Sequence, residues 1–179
     1  MKIWALRHDT DFIDVRADSS HFAYFQTFEG ETKAKDWKPI KVKPIDIGIY
    51  PWGNAVGLSS HIPVLDRTAV DVLRDLLDDN AEILPLDCEY AELYAINVTN
   101  IVDCIDYEKS EYKVFENSGK IMWIHRHAFK EEKVKMQHLF KIPDMKRGCP
   151  YVSDEFRNRV LEAGLTAFRF TCVWDSEEQ

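Results

Sequence analysis

No apolar run in these 179 residues approaches the roughly 18 that a membrane-crossing helix needs. The opening MKIWALRHDTDF has no apolar h-region and no small-residue cleavage site, so no secretory signal is expected and a cytoplasmic setting follows. Basic charge is also short, with 23 Lys and Arg against 31 Asp and Glu, a formal charge of -8. That balance disfavours direct nucleic-acid binding, which needs a basic face, and favours a basic partner. Cys88, Cys104, Cys149 and Cys172 form no C-x-x-C pair, and four reduced thiols are expected.

Familiar catalytic patterns are missing as well. GLSSH sets Ser59, Ser60 and His61 side by side without the G-x-S-x-G elbow that would expose a serine nucleophile. GNAVG has neither the lysine of a phosphate loop nor the glycine count of a dinucleotide turn. Asp103, Asp106 and Glu108 lack the glycine turn and the bidentate glutamate of a calcium loop. Asn97-Val98-Thr99 spells a glycosylation sequon, which a cytoplasmic chain never presents to the enzyme. No cofactor is expected.

What is present is a folding sequence. An apolar fraction of 45% and 22 aromatic residues suffice for one globular domain spanning 1–179, and no Gly-, Ser- or Pro-rich linker divides it. KIWALR alternates as an opening strand, the polar stretch after it is irregular with one short helix, and Pro39 and Pro44 argue against a central-strand role for KPIKVKP. A helix is predicted from Asp66, its N-cap, to about Asp79, with Ala69, Val70, Leu73, Leu76 and Leu77 on one stripe and Asn80 as a left-handed stop. AEILPL, YAINV, NIVDCI and HLFKIP read as short strands. SEYKVF and IMWIHRHAF form a hairpin turning at Gly119.

A second helix starts at Ser153, uses Phe156, Val160, Leu161 and Ala163 as its apolar stripe and stops at Gly164. TAFRFTCVW follows as a strand with Phe168, Phe170, Cys172 and Trp174 on one face. The class is therefore α+β, mostly short antiparallel strands with two main helices. Because each helix runs into a strand, there is a faint helix–strand pseudo-repeat.

Two features invite a functional reading. His125 and His127 stand at i and i+2, on one face of an extended strand with Trp123 and Phe129, where they could share a cation given a third ligand from His138, Glu131 or Glu132. Without a second ligand motif, polar strand residues are the simpler reading, and no metal site is assigned. The other feature is a set of acids interleaved with aromatics: Asp9, Asp11 and Asp14; Asp75, Asp78 and Asp79; Glu89 and Glu92 around Tyr90; and the aromatic Trp52. Such faces usually serve solubility, but with the net charge they would also steer a basic partner.

The order of segments carries a resemblance. DWKPIKV, IPVLDRTAVDVLRDLL with ILPL, YAINVTNIVDCIDYEKSEY, GKIMWIHRHAFKEEKV, HLFKIP and YVSDEFRNRVLEAGLTAFRF together resemble a bacterial immunity-protein family of polymorphic toxin systems, formerly a domain of unknown function with a myxobacterial type member. The likeness covers residues 30–175, while 1–29 diverge and would suit a partner-specific surface. Asp66 stands where the family more often has serine, and either caps a helix. The resemblance implies a non-enzymatic protein that binds a cognate toxin from the adjacent gene and neutralises it by occlusion. It supplies no catalytic residues. Two other readings stay open: an adaptor or chaperone for a secreted effector, and a small metal-dependent enzyme built on His125 and His127. Oligomeric state is left open.

Overall fold

The computed structural model describes residues 1–178. The chain runs β1 (Lys2–His8), β2 (Val15–Ala17), α1 (Ser19–Phe25), β3 (Ile40–Pro44), β4 (Ala55–Ser59), β5 (Ile62–Asp66), α2 (Arg67–Leu77), β6 (Ala81–Asp87), β7 (Leu93–Val98), β8 (Glu111–Val114) and β9 (Ile121–Arg126). It continues through α3 (Glu131–Val134), β10 (Leu139–Phe140), β11 (Tyr151–Ser153), α4 (Asp154–Glu162) and β12 (Phe168–Asp175).

Two residues set the plan. Asp66 and Ser153 each end a strand and cap a helix, accepting from Ala69 N and Phe156 N at 2.8 and 3.2 Å, so each strand turns directly into its helix. After α2 the chain returns as β6, and β7 lies between β5 and β6, antiparallel to both. After α4 it returns as β12, and β1 lies between β11 and β12 in the same way. The pseudo-repeat is thus a pair of split strand–helix–strand units. Their helices pack together, Arg159 of α4 donating to both carboxylate oxygens of Asp75 on α2 at 2.9 and 3.3 Å.

The first unit belongs to a six-stranded sheet, order β2-β3-β6-β7-β5-β4, antiparallel except between β3 and β6. A bridge between Asp14 and Gly57 ties its two ends, so the sheet is nearly a closed barrel, filled by Val15, Val42, Val64, Leu84 and Leu93. The second unit forms a four-stranded sheet, order β10-β11-β1-β12. The α2 stripe of Ala69, Val70, Leu73, Leu76 and Leu77 is buried against Phe156, Val160, Leu6 and Val152. Each of its larger side chains contributes roughly 1.5–3 kcal/mol by leaving water. The other face of the small sheet, with Ile3, Phe140, Tyr151 and Trp174, packs on Cys104, Ile105, Phe129 and Val134.

The class, both caps, and the positive φ of Gly119 and Gly164 agree with the sequence reading. Several details differ. β3 is an interior strand, yet its pairs with β6 end at Lys41, so Pro44 has a neighbour only on the β2 side and its missing N–H costs no ladder bond. A bulge at Ile3/Trp4 places Trp174 opposite Ile3 in a different core from Phe168 and Phe170. Leu161 is 53% exposed, because Phe156 and Val160 alone meet the core from α4. Asn80 is not left-handed; its side chain donates to Leu76 O at 2.9 Å and closes the helix that way. Among the described residues NIVDCI makes two single bridges and no continuous strand, Ile101 to Lys141 and Ile105 to Phe129.

Candidate functional site

The histidines of IMWIHRHAF do not converge. β9 ends at Arg126, so the common face breaks between them. His125 is exposed and its Nε2 accepts from Trp123 Nε1 at 2.5 Å, with Trp123 itself 45% exposed rather than packed. His127 turns inward, stacks on Phe129 and shares a 2.9 Å hydrogen bond with the Tyr151 hydroxyl. Burial pulls its pKa down to about 4, which keeps the ring neutral at pH 7. His138 Nδ1 meets Ser153 Oγ instead. Among the described residues no group of three His, Cys, Asp or Glu is placed to hold a metal ion.

The acids separate into two kinds. Asp75 is gripped by Arg159, which lowers its carboxyl pKa; Lys41 does the same to Glu89 from 2.7 Å. Glu92 accepts from the Tyr94 hydroxyl at 2.5 Å and faces Arg67 at 3.2 Å, and Asp78 lies 3.9 Å from Arg74. These carboxylates are paired within the chain. Asp79 and Tyr90 are exposed but stand apart from any concave surface described below.

Asp9, Asp11, Asp14 and Trp52, by contrast, come together. Residues 45–52, between β3 and β4, project a tight loop whose tip is apolar: Ile47 is 54% and Ile49 71% exposed, with Tyr50 and Trp52 beside them. Asp46 (φ 56°) and Gly48 (φ 86°) take the left-handed turn that reverses the chain, a conformation glycine adopts freely. The stem is braced against the turn 9–14 by Ile45 N to Asp14 O at 2.8 Å and Ile13 N to Pro51 O at 3.0 Å. Gly53 completes the brace, since a Cβ there would stand 2.4 Å from Ala167 Cβ and 2.9 Å from Phe12. The result is an exposed apolar tip whose stem is tied to the turn that carries Asp9, Asp11 and Asp14.

Behind the loop lies a cleft of about 750 Å³ between α1 and the ends of β1, β2 and β4, lined by Arg16, Phe22, Ile45, Leu58 and Ser60 among others. His8 reaches it from β1, with Nε2 3.2 Å from Asp14 Oδ1 but out of hydrogen-bond alignment, so both ring nitrogens lack a partner among the described residues. Gly57 permits this meeting of the two sheets, because a Cβ would fall 1.7 Å from Asp14 Oδ1 and 2.6 Å from the His8 ring. Ser59 and His61, also near the cleft, are joined at 2.7 Å, and His61 Nε2 points at Phe25 O at 3.0 Å. The ring is 4% exposed and its pKa is lowered by burial, as suits a neutral core histidine.

The sequence reading named Trp52 and the three aspartates but missed Ile47, Ile49 and Tyr50. The run PIDIGIYPW did carry a signal: alternating apolar residues around a glycine, closed off by Pro44 and Pro51.

No helix among the described residues is long and apolar enough to cross a membrane. No curated protein matches the chain. The model of the immunity protein family Imm11 matches residues 87–175, a span that carries β7 to β12 with α3 and α4. One of the two inner strands of the small sheet, β1, and the whole 45–52 loop lie outside that span. Residues 87–175 are therefore a domain of the Imm11 immunity protein family.

Proposed function

We propose that this chain binds a cognate bacterial toxin in the cytoplasm and neutralises it by occlusion, without turnover, through the 45–52 loop and the acidic turn 9–14. The Imm11 domain supports toxin neutralisation as the purpose. The observation that carries the surface is the braced, exposed apolar tip of Ile47, Ile49, Tyr50 and Trp52. Monomeric proteins do not ordinarily hold such a cluster in water on a rigid stem, and rigid aromatic anchors are what interface hot spots use. About 800 Å² per partner makes a standard interface, less than a tenth of the 9853 Å² accessible here.

The loop lies outside the family match, as fits a surface that must suit one toxin. Residues 1–29 contribute the acidic turn, in keeping with a partner-specific N-terminal part, and the toxin is expected from the adjacent gene. Asp9 and Asp11 act in the encounter, drawing a basic toxin toward the tip. Co-expression with that toxin should restore growth. In stopped-flow mixing, Asp9→Asn with Asp11→Asn should slow association about fivefold at low salt and leave dissociation unchanged. An association rate that stays the same and equally salt-dependent would remove the steering role.

A further inference from the structure

Four cations of this acidic chain stand in two facing pairs. Arg16 of β2 is the cross-strand partner of Lys43 of β3, and Arg7 of β1 is the cross-strand partner of Arg169 of β12. Directly opposed residues of an antiparallel ladder have Cβ atoms about 5 Å apart, where like charges destabilise the pairing. Among the described residues, none of the four makes an ion pair, although eleven other basic side chains do. Arg7 and Arg16 line the cleft behind the loop. A groove of about 460 Å³ shares Arg16 and Ile45 with that cleft and adds Lys41 and Lys43.

Two acids share this lining: Asp18, in the groove, caps α1 and holds Ser20 and His21, and Asp14, in the cleft, stands 3.2 Å from the His8 ring; Glu89 holds Lys41. Phe22, 66% exposed, and Leu58 give the same cleft an apolar wall.

We propose that the cleft and its adjoining groove bind an extended acidic segment of the toxin, with carboxylates at Arg16 and Lys43 and an apolar side chain in the cleft. The identity of the segment's owner rests on the toxin-neutralising reading; the chemistry that binds it does not. A protein segment fits better than a free oxyanion, because the cationic groove opens without a break into apolar wall. The toxin then meets opposite charges on the two sides of one loop, basic toward Asp9 and Asp11 and acidic toward Arg16 and Lys43. That pattern fixes a single docking register and rejects a uniformly basic partner.

The test uses the full chain and three probes: the peptide acetyl-Glu-Leu-Glu-Phe-Glu-Leu-amide, its Gln-for-Glu twin, and inorganic phosphate. Binding is read by amide chemical shifts. The acidic peptide should bind at the cleft, and its affinity should fall at least tenfold for the Gln twin and for Lys43→Glu. Because the new carboxylate would pair with Arg16, the Lys43→Glu melting temperature should hold or rise, which separates loss of the site from loss of the fold. Equal binding of the two peptides, no peptide binding, or phosphate competing as well as the peptide would overturn the proposal. With the toxin itself, a complex unaffected by Lys43→Glu sinks this inference and leaves neutralisation standing. Absence of any complex with the native chain sinks neutralisation, and the peptides still decide the site.

Discussion

Lys141→Met will make the chain more stable at pH 7, by about 2 kcal/mol. Lys141 is 1% exposed, and among the described residues the one hydrogen bond of its ammonium is a long one, 3.4 Å to Phe28 O. Burial draws its pKa from 10.5 down to about 8, with Cys149 and Glu29 opposing the shift only weakly. That difference of roughly 2.5 units corresponds to about 3 kcal/mol that folding loses while the group is charged in both states. Methionine matches the length of the stem and carries no charge, and the orphaned Phe28 carbonyl takes back about 1 kcal/mol. The sign is fixed by linkage. The folded state holds fewer protons than the unfolded state between pH 8 and 10.5, so stability of the native chain rises with pH across that window. Below pH 8 the full penalty remains. Urea melts at pH 7 and pH 10 check both parts: the variant should lead at pH 7 and the gap should narrow at pH 10. Coincident curves at pH 7 would contradict the account.

Acid will unfold the chain early, and His127 will be a leading cause. Its folded pKa of about 4 lies below the ordinary 6.5, because the ring is buried between Phe129 and Tyr151. Between pH 6.5 and 4 the unfolded state binds the proton and the folded state does not. Stability therefore falls as pH falls through that window, by about 3 kcal/mol in all. His127→Gln keeps a hydrogen-bonding group for the Tyr151 hydroxyl and cannot titrate there. Its stability should be nearly flat between pH 6.5 and 4.5 where the native chain declines, apart from the carboxylates common to both. If the two profiles run parallel, His127 is not what titrates.

Local features of the fold were legible because local chemistry decides them. Asp66 and Ser153 cap by reaching three residues ahead, and the α2 stripe follows from helical periodicity. Features that depend on distant partners were not legible. Trp174 leaves the face of Phe168 and Phe170 through a bulge against β1, at the opposite end of the chain. Asp75 and Glu89 looked available until Arg159, 84 residues away, and Lys41, 48 residues away, were placed beside them. The same holds at the candidate site. Asp9 and Trp52 could each be picked out by type, but the brace that joins them runs through backbone atoms of Ile13, Ile45 and Pro51, which no residue pattern reports. The facing cations Arg16 and Lys43 exist only once register is known.

Calorimetric titration of the purified toxin domain into the chain and into an Ile49→Ala, Trp52→Ala double variant tests the central claim most directly. Ile49 is largely exposed while Trp52 has more than half of its surface covered, so the variant should melt somewhat lower, and the titration is run well below that temperature. The native chain should form a tight equimolar complex, and the double variant should bind about a hundredfold more weakly, as expected when two anchor residues together supply close to 3 kcal/mol. No complex with the native chain, or equal affinity for both proteins, would contradict neutralisation through this surface.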